Sequence, residues 1–305
     1  MKVLRKIKVA WENPYELSYL FLATYLLVAT AVIFKFGLYS GLDIIFLIFF
    51  IGALIIGKYL VFLRDWLPFL LMFFGYEMMR SVADNLTQSV HTWEMIKADA
   101  FLFGQIPTVS LQANLWQPNS LLWYDIAAYF FYISHFWFIF LVGFIIWFKK
   151  RSHFKAFSWS FIILNTLGFI TYLLFPAMPP WMASNYQYVE GINRLLIDIG
   201  NKLHFSGIFT FLYKIISPNE IATMPSMHAA WAWFASLFLV YIFGKKLWPI
   251  FIIPVGLGFS LVYLGEHYVI DILLGIIYAT LGFWVGKRFL MTQNRQGFEA
   301  QRGPA

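Results

Sequence analysis

Long apolar runs separated by short polar or basic breaks dominate the pattern along this chain. The runs repeatedly approach the roughly 20 residues that a helix needs to cross a bilayer. We therefore predict eight helical spans, at residues 17–36, 42–59, 67–79, 124–148, 157–175, 228–243, 248–265 and 268–286. Arg64, Asp65 and Pro68 crowd the start of the third span.

Composition supports a membrane protein. Hydrophobic residues make up 61% of the chain and charged residues only 12%, against roughly 25% charged residues in soluble domains. No short apolar core with a small-residue cleavage site follows the basic start, so we expect the first span to be retained. The absence of cysteine excludes disulfide scaffolds, thiolate catalysis and cysteine-ligated zinc.

The lysines and arginines predict the orientation. If the N-terminus is cytoplasmic, sixteen of the 22 lie in inner segments, which is a strong positive-inside bias. Both termini are then cytoplasmic, and the net charge of +7 concerns orientation rather than nucleic acid. The outer cations are Arg80, Lys97, Arg194, Lys202 and Lys214, with Lys35.

The outer segment 80–123 is too polar to span, yet it keeps apolar patches such as residues 100–103. This pattern predicts short amphipathic helices at the interface, covering a site that opens to the lipid. The tail after Arg288 has no apolar period, and we expect it to be disordered.

Two motifs place ionisable side chains at the edges of apolar segments, where burial is costly unless the group has a partner or does chemistry. The first is the Pro-Ser-Met-His sequence at 225–228, and the second is Glu-His-Tyr-Val-Ile-Asp at 266–271. Four-residue spacing puts His267 and Asp271 on one helix face, where the carboxylate can orient the imidazole as a nucleophile or base.

His228 follows Pro225 and Ser226 at a predicted helix start, where free amides and the helix dipole favour an anion such as phosphate. Three alternatives stay open. The histidines could be interfacial residues only, they could form a metal site with Glu266 or Asp271, or they could relay protons in a transporter. His135, within a span, either reaches the site or bonds a neighbouring helix.

These motifs resemble those of the type 2 phosphatidic acid phosphatase superfamily. Its second motif is Pro-Ser-Gly-His, and its third is Ser-Arg, five residues, His, three residues, Asp. The present chain has Ser260 and Leu261, then His267 and Asp271, at the same spacing. Leu261 stands where most members have a phosphate-binding arginine, and Met227 replaces the glycine.

The usual first motif is absent, and the segment 175–181, Phe-Pro-Ala-Met-Pro-Pro-Trp, stands in its place. This segment, Tyr263-Leu264 before the His-Tyr-x-x-Asp run, and residues 77–84 are similar to the branch that contains inositol phosphorylceramide synthases. The likeness covers about residues 76–275. We expect Pro179 and Pro180 to fix an extended turn that sets Trp181 at headgroup level.

The resemblance implies that His267 attacks phosphorus and forms a phosphohistidine, that Asp271 orients it, and that His228 protonates the leaving oxygen. Water or an alcohol then completes the reaction with the roles reversed. It implies no metal or other cofactor. We assign Arg80, beside Asp84, as the cation that replaces the missing arginine, and its alternative role is interfacial snorkelling. The other expected substrate-binding residues are Ser226, Pro180, Tyr263 and Glu266.

Few fixed cations favour a phosphodiester substrate over a phosphomonoester, since a diester carries less charge. The preferred function is transfer of a phosphoinositol-like headgroup from a phospholipid to a lipid or polyol alcohol. The alternative is a lipid phosphate phosphatase acting on phosphatidate, a sphingoid phosphate or a polyprenyl (di)phosphate.

The resemblance implies an all-α, polytopic transmembrane bundle. We expect two accessory spans in residues 1–60, a six-helix catalytic domain in residues 61–288, and a cytoplasmic tail in residues 289–305. The charge bias places the active site on the non-cytoplasmic face.

Overall fold

A computed structural model describes the backbone of residues 49–55, 57–70, 90–204 and 221–302. The chain divides into two compact units, Met1–Leu71 and Met72–Ala305. The predicted span 17–36 and most of the predicted span 67–79 lie outside the described residues, as does Arg80.

In the first unit, residues 49–55 and 59–70 are helical. Gly57 separates them in the left-handed conformation, with φ of +69°, which commonly ends a helix. The rings of Phe62 and Trp66 stack at 5.1 Å, and Phe50 packs on Phe62. The domain boundary predicted at residues 60–61 falls inside the second helix and stays a prediction.

The second unit is helical throughout most of its described length. In chain order its helices are α1 (Trp93–Phe103), α2 (Pro107–Leu115), α3 (Trp123–Lys149), α4 (Arg151–Leu174), α5 (Pro180–Asn185), α6 (Leu195–Lys202), α7 (Met227–Phe243), a 3₁₀ helix (Lys245–Phe251), α8 (Ile252–Tyr263) and α9 (Val269–Arg302).

Several of these helices are long and apolar enough to cross a membrane. Among the described residues they are Arg151–Leu174, Lys245–Tyr263 and Val269–Met291. A fourth, α3, bends by 51° between Trp123–His135 and Trp137–Lys149. Large apolar side chains such as Ile277, Leu281 and Trp284 are about half exposed, as expected where a helix faces lipid. The predicted all-α, multi-pass membrane fold is confirmed.

Helices α7 and α9 meet closely at their N-terminal ends. A Cβ atom on Gly275 would lie 2.3 Å from the carbonyl oxygen of Ser226, so only glycine allows this approach of the two backbones. The backbone N–H of Ser226 also donates to the carbonyl of Asp271 at 2.9 Å. The contact brings the start of α7, with His228, beside the start of α9.

Parallel backbone pairing links the end of α4 to the outer segments. Ala177 pairs with His91 on one side and with Ala222 on the other, and the Thr223 hydroxyl donates to the Ala177 carbonyl at 2.7 Å. The predicted interfacial segment contains two short helices, α1 and α2, and their location at the membrane interface stays a prediction. An apolar cluster that includes Met95, Ile96 and Tyr268 packs α1 against the rest of the unit.

Two local expectations differ from the structure. Pro180 and Trp181 begin helix α5 instead of continuing an extended turn, because proline is well suited to the first helical position, where its missing N–H costs nothing. The backbone of α9 stays helical to Arg302, although we expected disorder after Arg288. The residues from 289 to 302 contain no proline and are mostly compatible with a helix.

Candidate active site

The loop between α8 and α9, residues 264–268, carries His267 and is called the histidine loop below. It folds back on the last turn of α8, where the backbone N–H groups of Glu266 and His267 both donate to the carbonyl of Leu261, at 3.0 and 3.1 Å. The Leu261 side chain is fully buried. The position at which related proteins have an arginine therefore supports the loop through its backbone.

Gly265 permits the sharp turn within the histidine loop. Its φ is +83°, and a Cβ atom there would lie 2.8 Å from the Asn193 carbonyl oxygen. We expect Gly265→Ala to lower both the unfolding temperature and the activity, since it combines left-handed strain of about 1–2 kcal/mol with a backbone clash.

Gly104→Ala is the matched control for this prediction. Gly104 has a similar φ of +73° with nothing within 4 Å of an added Cβ, so its replacement introduces the strain without the clash. Thermal unfolding in detergent, together with activity, would compare the two variants. Equal effects of the two substitutions would contradict the role of the Asn193 contact.

Asp271, His267 and His228 form a continuous line of side chains. The Nδ1 atom of His267 lies 3.4 Å from Oδ2 of Asp271, and its Nε2 atom lies 2.9 Å from Nδ1 of His228. Asp271 is fully buried, and Oδ2 also accepts the backbone N–H of Tyr268 at 3.0 Å. Asp271 therefore fixes both the loop backbone and the histidine ring.

The acceptor-only carboxylate sets the proton positions in this line. Because the Asp271 carboxylate can only accept, the Nδ1 atom of His267 carries the proton, and Nε2 keeps its lone pair. The Nδ1 atom of His228 then donates to that lone pair. The arrangement has a nucleophilic nitrogen on His267 and an adjacent proton donor on His228.

The start of α7 presents His228 at the predicted helix N-terminus. Ser226 is the N-cap, and its hydroxyl oxygen accepts the backbone N–H of Ala229 at 3.4 Å. Tyr172 on α4 donates to the Pro225 carbonyl at 2.8 Å. Met227, which replaces the motif glycine, lies against Gly168, where an added Cβ would come 2.7 Å from its sulfur atom. The helix therefore accommodates the larger residue where α4 has no side chain.

His135 also lies beside the histidine pair. Its ring and that of His228 are perpendicular, with centroids 4.2 Å apart. The Nδ1 atom of His135 contacts the carbonyl of Tyr132 in its own helix, and a carbonyl can only accept, so Nδ1 is the protonated nitrogen. Of the two roles left open for His135, the structure places it at the site.

The other predicted substrate-binding residues occupy different surroundings. Ser226 is fully buried and serves as the N-cap described above, while Pro180 is buried at the first turn of α5. The Tyr263 hydroxyl donates to Oδ1 of the buried Asp125 at 2.5 Å, which joins α8 to α3. Glu266 lies next to His267 within the histidine loop.

Glu266 binds an arginine that the sequence left unassigned. The Nε atom of Arg194 donates to Oε1 of Glu266 at 3.0 Å, and the guanidinium lies 3.8 Å from the Trp181 ring centroid. Arg194 thus places a positive charge beside the histidine loop. The sequence placed Arg194 among the predicted outer cations. It gave no sign that Arg194 pairs with Glu266, which lies 72 residues further along the chain.

An apolar cavity of about 320 Å³ lies near the histidine loop. Val262, two residues before the loop, and Val269, directly after it, both border the cavity. Other lining residues come from α2, α7 and α9, and include Leu111, Trp233 and Ile272. Such a cavity offers space for hydrocarbon close to the flanks of the histidine loop, although none of the described histidines lines it. Within the described residues, no group of three His, Asp or Glu side chains has an arrangement that could hold a metal ion.

Comparisons with known proteins identify the family of this chain. A family model described as PAP2 superfamily matches residues 93–285. A phosphoinositol dihydroceramide synthase from Bacteroides thetaiotaomicron is 30% identical over 234 residues, which cover 71% of this chain and 74% of that protein. No solved structure matches the chain significantly.

Two fungal proteins are also similar to part of this chain. The inositol phosphorylceramide synthase catalytic subunit of Schizosaccharomyces pombe is 25% identical over 57% of this chain, and the inositol phosphorylceramide synthase of Candida albicans is 27% identical over 57%. The matches span only 42% and 38% of those fungal proteins.

The family match begins at the first residue of α1 and ends within α9, so it includes the histidine loop, the start of α7 and the interfacial helices. The chain belongs to the PAP2 superfamily, in its inositol phosphorylceramide synthase-like branch, and is a membrane-embedded lipid phosphotransferase or phosphatase.

Proposed function

We propose that the protein transfers a phosphoinositol-like headgroup from a phospholipid to the hydroxyl of a ceramide-type lipid, or of another lipid or polyol alcohol. The observation that carries this proposal is the line from Asp271 through His267 to His228, with contacts of 3.4 and 2.9 Å. The line provides a nucleophile, its orienting carboxylate and a proton donor, which are the groups needed for two successive displacements at phosphorus.

In the first displacement, Nε2 of His267 attacks the phosphorus of the donor lipid. An N–P bond forms, the P–O bond to the glycerol oxygen breaks, and His228, in its doubly protonated imidazolium form, transfers its Nδ1 proton to that oxygen, which leaves as diacylglycerol. In the second displacement, neutral His228 removes the proton from the acceptor hydroxyl. The acceptor oxygen attacks phosphorus, the N–P bond breaks, and the lone pair returns to His267.

The contact between the two histidines must open during this reaction. A hydrogen bond from His228 to the leaving oxygen already requires about 2.8 Å, and the phosphorus atom adds further distance between the rings. The observed distance of 2.9 Å between the two nitrogens is therefore too short for the phosphorus atom and the leaving oxygen to fit between them. Entry of the phosphate separates the starts of α7 and α9 or rotates the rings.

Three observations support a lipid phosphodiester as the substrate. The apolar cavity beside Val262 and Val269 suits a hydrocarbon chain. Arg194 places positive charge beside the histidine loop, but Glu266 balances it, and a diester needs less neutralisation than a monoester. The bacterial relative is named for a phosphoinositol and dihydroceramide reaction. Arg80 remains the predicted replacement for the missing motif arginine.

Product analysis would test the proposed function. Purified protein is incubated with phosphatidylinositol and, separately, with phosphatidate, each with and without ceramide or diacylglycerol. We expect diacylglycerol release from phosphatidylinositol that depends on ceramide, with phosphoinositol recovered on the acceptor. Release of inorganic phosphate from phosphatidate, with no acceptor-dependent reaction of phosphatidylinositol, would instead identify a phosphatase.

We further propose that both termini are cytoplasmic and that the histidines face the opposite side. The positive-inside bias supports this orientation. Lys149, Lys150 and Arg151 form a basic turn between α3 and α4. If α3, α4, α7 and α8 each cross the membrane once, this turn lies on the side opposite the histidine loop.

Because the natural chain has no cysteine, single cysteines can test this orientation. In sealed right-side-out vesicles, a membrane-impermeant thiol reagent should label Asn185→Cys, at the end of α5, and spare Ser152→Cys, in the first turn of α4. Both positions are exposed, so permeabilised vesicles should label both equally and serve as the control. The reverse labelling pattern would contradict the proposed orientation.

A further inference from the structure

Asp99 on the interfacial helix α1 binds the start of the catalytic helix α9. Its two carboxylate oxygens accept the backbone N–H groups of Val269 and Ile270, each at 2.9 Å. These are the first two residues of α9, whose amides have no partner within the helix. The residue before them, Tyr268, has no short polar side chain that could cap the helix. Asp99 therefore caps α9 from 170 residues away.

The Asp99 carboxylate is fully buried. Burial raises its pKa to about 6, against the opposing effect of the two backbone N–H groups. At neutral pH the group is thus ionised, and both oxygens can accept. An ionised, buried carboxylate persists only where such bonds satisfy it.

Gln112 on the second interfacial helix, α2, binds the other end of the histidine loop. Its Nε2 atom donates to the carbonyl of Tyr263, the last residue of α8, at 2.9 Å, and to the carbonyl of Asn193 at 3.0 Å. Its Oε1 atom accepts the backbone N–H of Asn193 at 2.8 Å. The two carbonyls and one N–H define the amide orientation. The side chain is buried, with 3% of its surface exposed.

We propose that Asp99 and Gln112 are positioning residues for His267, holding the two ends of the histidine loop from the interfacial helices. The inference rests on the proposed function, because it gives His267 the role of nucleophile. Neither residue acts on the substrate. Each fixes backbone at one end of a five-residue loop, and together they limit where the His267 ring can lie relative to Asp271 and His228.

Asp99 and Gln112, which hold the two ends of the histidine loop, are called the clamp below. The packing around these two residues makes the clamp rigid. Met95 and Ile96 on α1 and Tyr268 in the loop belong to one buried apolar cluster. On the other side of the loop, the N–H of Trp181 donates to the carbonyl of Gly265 at 3.0 Å. The loop is therefore held at its beginning, its middle and its end. Displacement of a reacting group by about 1 Å can lower a rate about 100-fold, so this support matters for catalysis.

The predicted interfacial location of α1 gives the clamp a second consequence. Phe101, Leu102 and Phe103 at the end of α1 are exposed, Phe101 by 88%, which suits a helix end in contact with the membrane interface. The same helix caps α9 through Asp99. The position of the nucleophile is thus linked through a single rigid helix to the surface at which a lipid headgroup arrives.

Two substitutions test the clamp, one at each end of the histidine loop. Asp99→Asn keeps the shape but places a donor against one backbone N–H, and Gln112→Leu removes all three bonds of the amide. We expect each to lower kcat for headgroup transfer by about 10- to 100-fold, with KM nearly unchanged because no substrate contact is lost. We expect the double variant to lose less than the product of the two single losses, since both act through one loop.

Matched controls lie on the same helices. Glu94→Gln on α1 removes a carboxylate that is largely exposed and bonded to His91. Asn114→Ala on α2 removes an exposed amide whose bond, to Ser110, stays within its own helix. Both controls should retain the wild-type kcat and KM.

The outcomes separate the clamp from the proposed function. A selective loss of kcat, with unfolding temperature and folded yield in the range of the controls, supports the clamp. Retention of wild-type kcat in both Asp99→Asn and Gln112→Leu, or losses of activity fully matched by losses of folded protein, would overturn it. If His267→Ala remained active, the proposed function itself would fail, whatever the clamp variants showed.

Discussion

Replacement of His267 by alanine is expected to abolish headgroup transfer, lowering kcat by about 10⁴-fold or more, as removal of a covalent nucleophile does in other enzymes. Its Nε2 atom carries the lone pair that faces His228, while its Nδ1 atom lies beside the Asp271 carboxylate. Transfer and hydrolysis should therefore fail together.

The measurement is steady-state transfer from labelled phosphatidylinositol to ceramide, with the folded state checked by thermal unfolding in detergent. His153→Ala is the matched control, because His153 lies in the basic turn at the start of α4 and contacts Ser152. It should retain full activity. Substantial activity of folded His267→Ala protein would show that another group attacks phosphorus.

Replacement of His228 by asparagine is expected to lower kcat with the natural donor by about 10²- to 10⁴-fold, the usual contribution of general acid–base catalysis. A glycerol oxygen is a poor leaving group without a proton, and the same histidine must later deprotonate the acceptor. The loss should be much smaller for formation of the covalent intermediate from a nitrophenyl phosphodiester, since nitrophenolate needs no proton to leave.

A single-turnover comparison of the two donors tests this prediction. The initial release of nitrophenolate isolates the first displacement from the second. His135→Gln serves as a comparison, since His135 contacts the His228 ring. An equal loss for both leaving groups would mean that His228 does not act as the proton donor in the first step.

The sequence predicted the catalytic centre better than its surroundings. The four-residue spacing of His267 and Asp271, and the Pro-Ser start before His228, are local patterns, and local patterns determine which side chains share a helix face. His228 and His267 meet because the starts of α7 and α9 lie side by side. The resemblance to the superfamily motifs already implied that the two histidines act on the same substrate. Hydrophobic runs likewise placed the spans from residue 124 onward.

The contacts that support the site could not be predicted in the same way. Asp99, Gln112 and Arg194 bind partners that lie 72 to 171 residues away, and a single sequence contains no signal for such pairs. An acidic residue on an amphipathic helix usually faces water, so Asp99 gave no reason to expect full burial. Pro180 was ambiguous, because proline favours both extended turns and the first turn of a helix.

The two departures from the superfamily motifs have local structural accounts. Leu261 contributes its backbone carbonyl to the histidine loop, and its side chain fills the core. Met227 fills space that Gly168 leaves open on α4. Arg194, paired with Glu266, lies beside the loop, and Arg80 stays the predicted replacement for the motif arginine. A site with less net charge fits a diester better than a monoester.

Direct identification of the covalent intermediate would test the central claim most sharply. Phosphatidylinositol with a radiolabelled phosphorus atom is mixed with the protein without acceptor, quenched in base to preserve the N–P bond, digested and mapped. We expect a phosphoinositol group on Nε2 of His267 that disappears when ceramide is added before the quench. Product formation with no adduct on His267, or with the adduct on another residue, would contradict the account.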